Sequence, residues 1–151
     1  MKGIIKITDN GGRTMDRYTA YFEDGYMLMM SEYAKGYDLI AGMELGAVPL
    51  VTALSLQTNI PFAIIRKEQR EHGTVKQIEG YDVKDKRVLV IEDVTTSGNS
   101  VVKTINIIRQ NHGIVDEVIV VVDRESGAEK KLLDLDVSFI PILSVSEILK
   151  K

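Results

Sequence analysis

Residues 87–100 read RVLVIEDVTTSGNS, and that order of residues suits few architectures. The apolar run Val88, Leu89, Val90, Ile91 meets an abrupt acidic pair, Glu92 and Asp93. A strand buried on both faces looks like this where it leaves its sheet, so the strand is expected to stop at the pair. Val94, Thr95, Thr96, Ser97, Gly98, Asn99 and Ser100 follow, small hydrogen-bonding residues around one glycine, and a segment of helical periodicity begins behind them. In outline this is an anion cradle, a loop rich in backbone and hydroxyl donors with the positive end of a helix at its back. Acids beside such a cradle point to a ligand carrying both sugar hydroxyls and phosphate.

A doubly buried strand needs neighbours on both sides, and the rest of the chain supplies them. Residues 3–8 (GIIKIT) and 17–23 (RYTAYFE) read as strands, with the turn signal Asp9-Asn10-Gly11-Gly12 between them implying a hairpin. A helix is expected over 25–37, a buried strand over 38–42, and a tight turn at Met43-Glu44-Leu45-Gly46 leading into a helix that ends near Thr58, with Pro49 in its first turn. Residues 61–66 (PFAIIR) form another strand. The stretch 66–80 (RKEQREHGTVKQIEG) has no apolar period and reads as a long, functional loop. Beyond the opening motif come a helix over about 98–112 closed by Gly113, a β-branched strand over 115–122, a helix over 128–135, a strand over 137–143 and a last helix over 144–150 capped by Ser144 or Ser146. Strand and helix alternate with short connections. The pattern implies an α/β fold, a Rossmann-like, largely parallel sheet flanked by helices, with ligands outside the carboxyl ends of its strands. The breaks at 42–46, 66 onward, 92–100 and 123–124 should therefore converge on one edge.

Composition narrows the function classes. A chain of 151 residues is most simply a single domain, and its net charge of -3 argues against general nucleic-acid binding. The absence of cysteine excludes disulfides, thiolate metal sites and thiol nucleophiles. No apolar run approaches the length of a membrane span and no signal-type core follows Met1, so a cytoplasmic protein with no membrane partner is expected.

An isolated acidic pair at a strand end more often serves solvation than catalysis; here the donor loop reverses those odds. Successive strand residues face opposite sides, so the pair can serve one ligand only if the chain bends there, which the Thr-Thr-Ser-Gly loop would provide. A receiver-domain reading of the strand fails because too little chain follows it, and a P-loop NTPase fails because no Gly-Lys-Ser/Thr occurs. Arg66, Lys67, Arg70 and Lys76 make a basic cluster, with His72 among them. A solvated loop would look the same, yet such a cluster also suits the neutralisation of a departing polyphosphate. His112, before Gly113, fits a helix-dipole role. Arg124 reads equally well as a salt-bridge partner or as a fork for a carboxylate.

Taken together these residues resemble the type I phosphoribosyltransferases. Residues 88–100 match the family's phosphoribosyl-pyrophosphate motif, and Arg66-Lys67-Glu68-Gln69-Arg70-Glu71-His72-Gly73 matches the loop signature of its orotate branch. Residues 41–50 (AGMELGAVPL) are similar to the pyrophosphate-side loop, Arg124 to the arginine that binds the orotate carboxylate, and Gly12-Arg13 to a Gly-Arg before the base pocket, which would set Tyr18 and Thr19 against orotate. The resemblance implies the type I fold over 1–151, with about residues 1–24 as a small β-rich hood. It also implies transfer of phosphoribosyl from phosphoribosyl pyrophosphate to orotate in pyrimidine biosynthesis.

Glu92 and Asp93 would hold the ribose hydroxyls, and Val94, Thr95, Thr96, Ser97, Gly98, Asn99 and Ser100 the 5′-phosphate. Thr96 and Arg124 would contact orotate; Arg66, Lys67, Arg70 and His72 would engage pyrophosphate. Arg70, His72, Glu92 and Asp93 would be the catalytic set. Mg2+ would enter mainly on substrate oxygens and water, with no protein-only metal site, and a homodimer is implied in which residues 66–77 reach the neighbouring active site. One rival is a transferase for another base, since Asn10 stands where the family usually has lysine. The other is a non-catalytic sensor of phosphoribosyl pyrophosphate, which would not need the basic loop.

Overall fold

The computed structural model describes residues 6–8, 14–16, 26–68 and 76–150. Near the amino terminus, β1 (Lys6–Thr8) pairs antiparallel with β2 (Thr14–Asp16), Ile7 opposite Met15. The expected hairpin is present, but its second strand lies before residues 17–23, which fall outside the described residues. The chain then runs through α1 (Tyr26–Ala34), β3 (Leu39–Met43), α2 (Val48–Thr58), β4 (Phe62–Ile65), β5 (Ile78–Gly80) and β6 (Val88–Thr95). It continues through α3 (Asn99–Gln110), β7 (Glu117–Asp123), α4 (Ala128–Leu133), β8 (Ser138–Ser144) and α5 (Val145–Leu149). The sheet order is β5-β4-β3-β6-β7-β8, parallel throughout except for β5, which runs antiparallel to β4.

Alternation along the central strands divides the core into two layers. Val88 and Val90 of β6 face Val101, Ile105 and Ile108 of α3 and Leu132 of α4. Leu89 and Ile91 face Met27 and Met30 of α1 and Leu50, Val51 and Leu54 of α2, a layer that Val145 and Ile148 of α5 extend. All five parallel strands thus point their carboxyl ends to one edge, as the α/β reading requires.

Two expectations are corrected. β6 does not stop at the acids but continues to Thr95, because β7 stays beside it: Glu92 lies opposite Val120, Val94 opposite Val122 and Thr95 opposite Asp123. Within 66–80, Ile78, Glu79 and Gly80 form a strand on Ile65, Ile64 and Ala63. Only three residues long and mostly exposed, it carries no period-two signature. The terminal helix begins as expected, with Ser144 accepting from Glu147 N–H in a reciprocal capping box.

Candidate functional site

Glu92 and Asp93 sit inside the sheet, 6% and 8% exposed. As neighbours on a strand they leave it toward opposite layers. Ser100, in the first turn of α3, donates its hydroxyl to Glu92 Oε2 at 3.3 Å. Asp93 lies under the turn that precedes α2: a Cβ on Gly46 would fall 2.2 Å from Asp93 Oδ2, so any larger residue there must displace that carboxylate. No bend brings the two acids together. Their carboxyls nonetheless interact. Burial pushes the Glu92 carboxyl up, to about 8, and the hydrogen bond and charge of Asp93 add to the rise against the smaller opposing pull of Ser100. Burial and the neighbouring acid thus favour a protonated Glu92, and donors such as sugar hydroxyls would relieve the charge at this site.

Beyond the strand, Gly98 adopts φ +79° and a Cβ there would lie 3.1 Å from Ala128 Cα, so α4 is packed against the head of α3. The α3 amino terminus has no side-chain cap and no acid in its first turn. Its positive end is left to whatever anion binds. Thr95 Oγ1 is buried without a hydrogen-bond partner among the described residues. Lys131 Nζ reaches Asn99 Oδ1 at 2.6 Å, adding a cation to this corner that no sequence motif announced.

Arg124 follows β7 and donates its backbone N–H to Thr95 O at 2.9 Å, which sets it beside the donor loop. Its neighbour Asp123 accepts from Glu125 N–H at 2.9 Å; burial raises its carboxyl, with the charges of Glu125 and Glu129 adding to that rise against the Glu125 N–H. On the other side of β6, Arg66 Nε pairs with Glu79 Oε1 at 2.9 Å. Lys67 donates its backbone N–H to Glu44 Oε1 at 2.9 Å, and Lys103 Nζ donates to Lys67 O. The structure thus gathers the acids, the donor loop, Arg124 and the Arg66-Lys67 root of the basic stretch at the carboxyl edge. His112 lies apart, exposed at the carboxyl end of α3, where its carbonyl accepts from Asp85 N–H at 3.0 Å. Arg70 and His72, like Asn10, Gly12, Arg13, Tyr18 and Thr19, lie outside the described residues. Glu44 and Gly46 fall in the 42–46 break that the sequence marks, although their partners were not legible there; Lys103 was not legible at all, because it acts on a backbone carbonyl remote in sequence.

The model of the phosphoribosyl transferase domain family matches residues 12–146. The chain belongs to that family. An orotate phosphoribosyltransferase of Pyrococcus horikoshii is 51% identical over 76% of this chain and 61% of its own length, so the chain spans less than two thirds of that relative. An orotate phosphoribosyltransferase of Thermoplasma volcanium is 50% identical over 97% of this chain and 93% of its own. Among solved structures, the orotate phosphoribosyltransferase of Mycobacterium tuberculosis in complex with 5-phospho-α-D-ribosyl 1-diphosphate superposes with a TM-score of 0.71 at 30% identity, covering 81% of this chain and 72% of that one. The type I fold expected from residues 88–100 is therefore the fold of this family.

Proposed function

We propose that the chain transfers the phosphoribosyl group of phosphoribosyl pyrophosphate to the ring nitrogen of orotate, releasing pyrophosphate and forming orotidine 5′-phosphate for pyrimidine synthesis. One observation carries the donor half of this reading: a buried acid pair shares one sheet edge with an uncapped, acid-free helix head. The first suits ribose hydroxyls and the second a phosphate. The acceptor rests on Arg124 beside that loop and on the activity named for the relatives.

In this reading Glu92 and Asp93 accept from the ribose hydroxyls and favour the positive charge that grows on the sugar as its bond to pyrophosphate lengthens. Pyrophosphate departs with the bonding electron pair and the ring nitrogen attacks from the opposite face. The donors of residues 94–100 hold the 5′-phosphate, while Thr96 and Arg124 orient orotate. Lys67, Arg70, His72 and the terminal nitrogens of Arg66, whose Nε is engaged by Glu79, neutralise the leaving group.

Among the described residues no cluster of three or more His, Cys, Asp or Glu could cage a metal ion. Magnesium carried mainly on substrate oxygens and water would supply charge neutralisation on the pyrophosphate, with Glu92 and Asp93 the nearest acids to the sugar in this reading. No helix among the described residues is long and apolar enough to cross a membrane; a cytoplasmic homodimer, each subunit a single domain whose residues 66–77 serve the neighbouring site, completes the reading. Mixing inactive Arg70→Ala and Asp93→Asn subunits should then restore about a quarter of the activity by random pairing.

The decisive experiment follows orotate consumption with phosphoribosyl pyrophosphate and magnesium, beside a panel of other bases. Turnover with orotate is expected. Turnover confined to another base moves the acceptor, and tight binding without turnover on any base overturns the enzyme in favour of a sensor.

A further inference from the structure

The Lys67 peptide is gripped on both of its polar groups. Its N–H donates to Glu44 Oε1 at 2.9 Å, and its carbonyl accepts from Lys103 Nζ. Both are charge-assisted hydrogen bonds, the stronger kind. Both are also solvent-exposed, where water competes and polar contacts add little to stability. Their value to the protein therefore lies in where they hold the peptide.

The two gripping residues come from elements that also touch the acid pair. Glu44 belongs to the turn after β3, and two residues on, Gly46 lies against Asp93. The same turn is tied to the end of β4 by Glu44 N–H donating to Ile65 O at 2.9 Å. Lys103 belongs to α3, one helical turn after Ser100, whose hydroxyl reaches Glu92. Residues three apart share one face of a helix, so Ser100 and Lys103 look toward the same side. Two independent elements thus each place one residue on the acids and another on the Lys67 peptide. Arg66 adds a third restraint at the same root, its side chain on Glu79 and its N–H on Gln77 O at 2.9 Å.

We propose that Glu44 and Lys103 are positioning residues that hold Lys67 at a set distance from Glu92 and Asp93. This inference rests on the transferase reading, in which the acids hold the sugar and Lys67 faces its leaving group. As the bond between sugar and pyrophosphate lengthens, charge grows on both fragments, and a cation misplaced by about 1 Å loses much of its effect. The grip acts through backbone atoms, so it fixes the root of the Lys67 side chain and leaves its ammonium available to the ligand.

The test combines kinetics with amide hydrogen exchange. Glu44→Ala and Lys103→Met should each lower kcat about tenfold with KM for phosphoribosyl pyrophosphate changed by less than about twofold, the signature of an interaction realised in the transition state. Glu44→Gln keeps an oxygen acceptor of the same reach and Lys103→Arg keeps a charged donor, so both should restore most of kcat. Exchange at the Lys67 amide should be slow in the unaltered protein, faster in Glu44→Ala and slow again in Glu44→Gln. Unchanged kcat in both truncated variants overturns the proposal, as does loss of kcat that neither conservative variant rescues. A Lys67 amide that exchanges freely in the unaltered protein overturns it as well. If the unaltered protein fails to turn over orotate, the acceptor assignment falls, and exchange at Lys67 still decides the grip.

Discussion

The two edges of one sheet use similar residues to opposite ends. At the amino edge, Arg87 Nη2 pairs with Asp116 Oδ2 at 2.9 Å, Tyr37 donates its hydroxyl to Asp116 Oδ1 at 3.0 Å, and Arg87 N–H donates to Asp38 Oδ2 at 2.8 Å. The guanidinium lies 4.8 Å from the centroid of the Tyr37 ring and also reaches Gly36 O. Opposite charges there meet each other: Asp116 is held below the usual carboxylate range because Arg87 and Tyr37 outweigh its burial, and Tyr37 is pushed up by burial and by Asp116. At the carboxyl edge two acids are pressed together, a threonine hydroxyl is buried without a partner and a helix head has no cap. One edge satisfies itself and the other leaves its demands for a ligand. Where polar groups are strained against their own kind, they mark chemistry more surely than where they are merely abundant.

The contrast can be broken most forcefully at Asp93. Asp93→Asn should lower kcat/KM by about 10²-fold or more, by analogy with the loss of a preorganised electrostatic contact, while stability holds, because the amide oxygen still accepts from the Glu92 carboxyl that burial keeps protonated. A stability loss matching the activity loss would show that the acids are structural after all. Next comes Gly46→Ala, whose new Cβ would lie 2.2 Å from Asp93 Oδ2 and must displace it; steady-state assays should show turnover down about tenfold, the scale of a sub-ångström to ångström misplacement.

A subtler effect lies in pH. The Glu92 carboxyl is raised from 4.5 to about 8 in the folded chain. Between those values the native state holds a proton that the unfolded chain has lost, so the contribution to stability is full below about 4.5 and is lost as pH rises through about 8. Urea midpoints of the unliganded protein should fall across that window, and Glu92→Gln should flatten the slope. The smallest functional effect belongs to the amino edge: Arg87→Met should lower the melting temperature while kcat stays at the level of the unaltered protein. A large loss of turnover there would erase the distinction between the edges.

Much of the site was legible because its chemistry is local. The buried run 88–91, its acids and the donor loop are consecutive, and the α/β alternation follows from hydrophobic period and turn residues alone. Strand ends were less legible. β6 continues through Glu92 and Asp93 because β7 remains paired beside it, a fact about a neighbour and not about residues 92–95. The three-residue β5 exists because β4 offers it an edge; its own residues are too few and too exposed to announce a strand. Glu44 and Lys103 act on a backbone peptide far along the chain, and no residue type signals a backbone partner.

The short strand β5 sets a limit of its own. Because Ile65 stands opposite Ile78, the twelve residues 66–77 leave and return at one fixed point of the sheet edge. A chain anchored at both ends on one spot can carry its midpoint no farther than half its contour, about 20 Å for six extended residues. That length is a leash. Any second active site served by Arg70 or His72 must lie within that radius extended by the length of the reaching side chain, so a dimer whose sites are farther from the Ile65–Ile78 pair could not share the basic stretch, whatever its affinity.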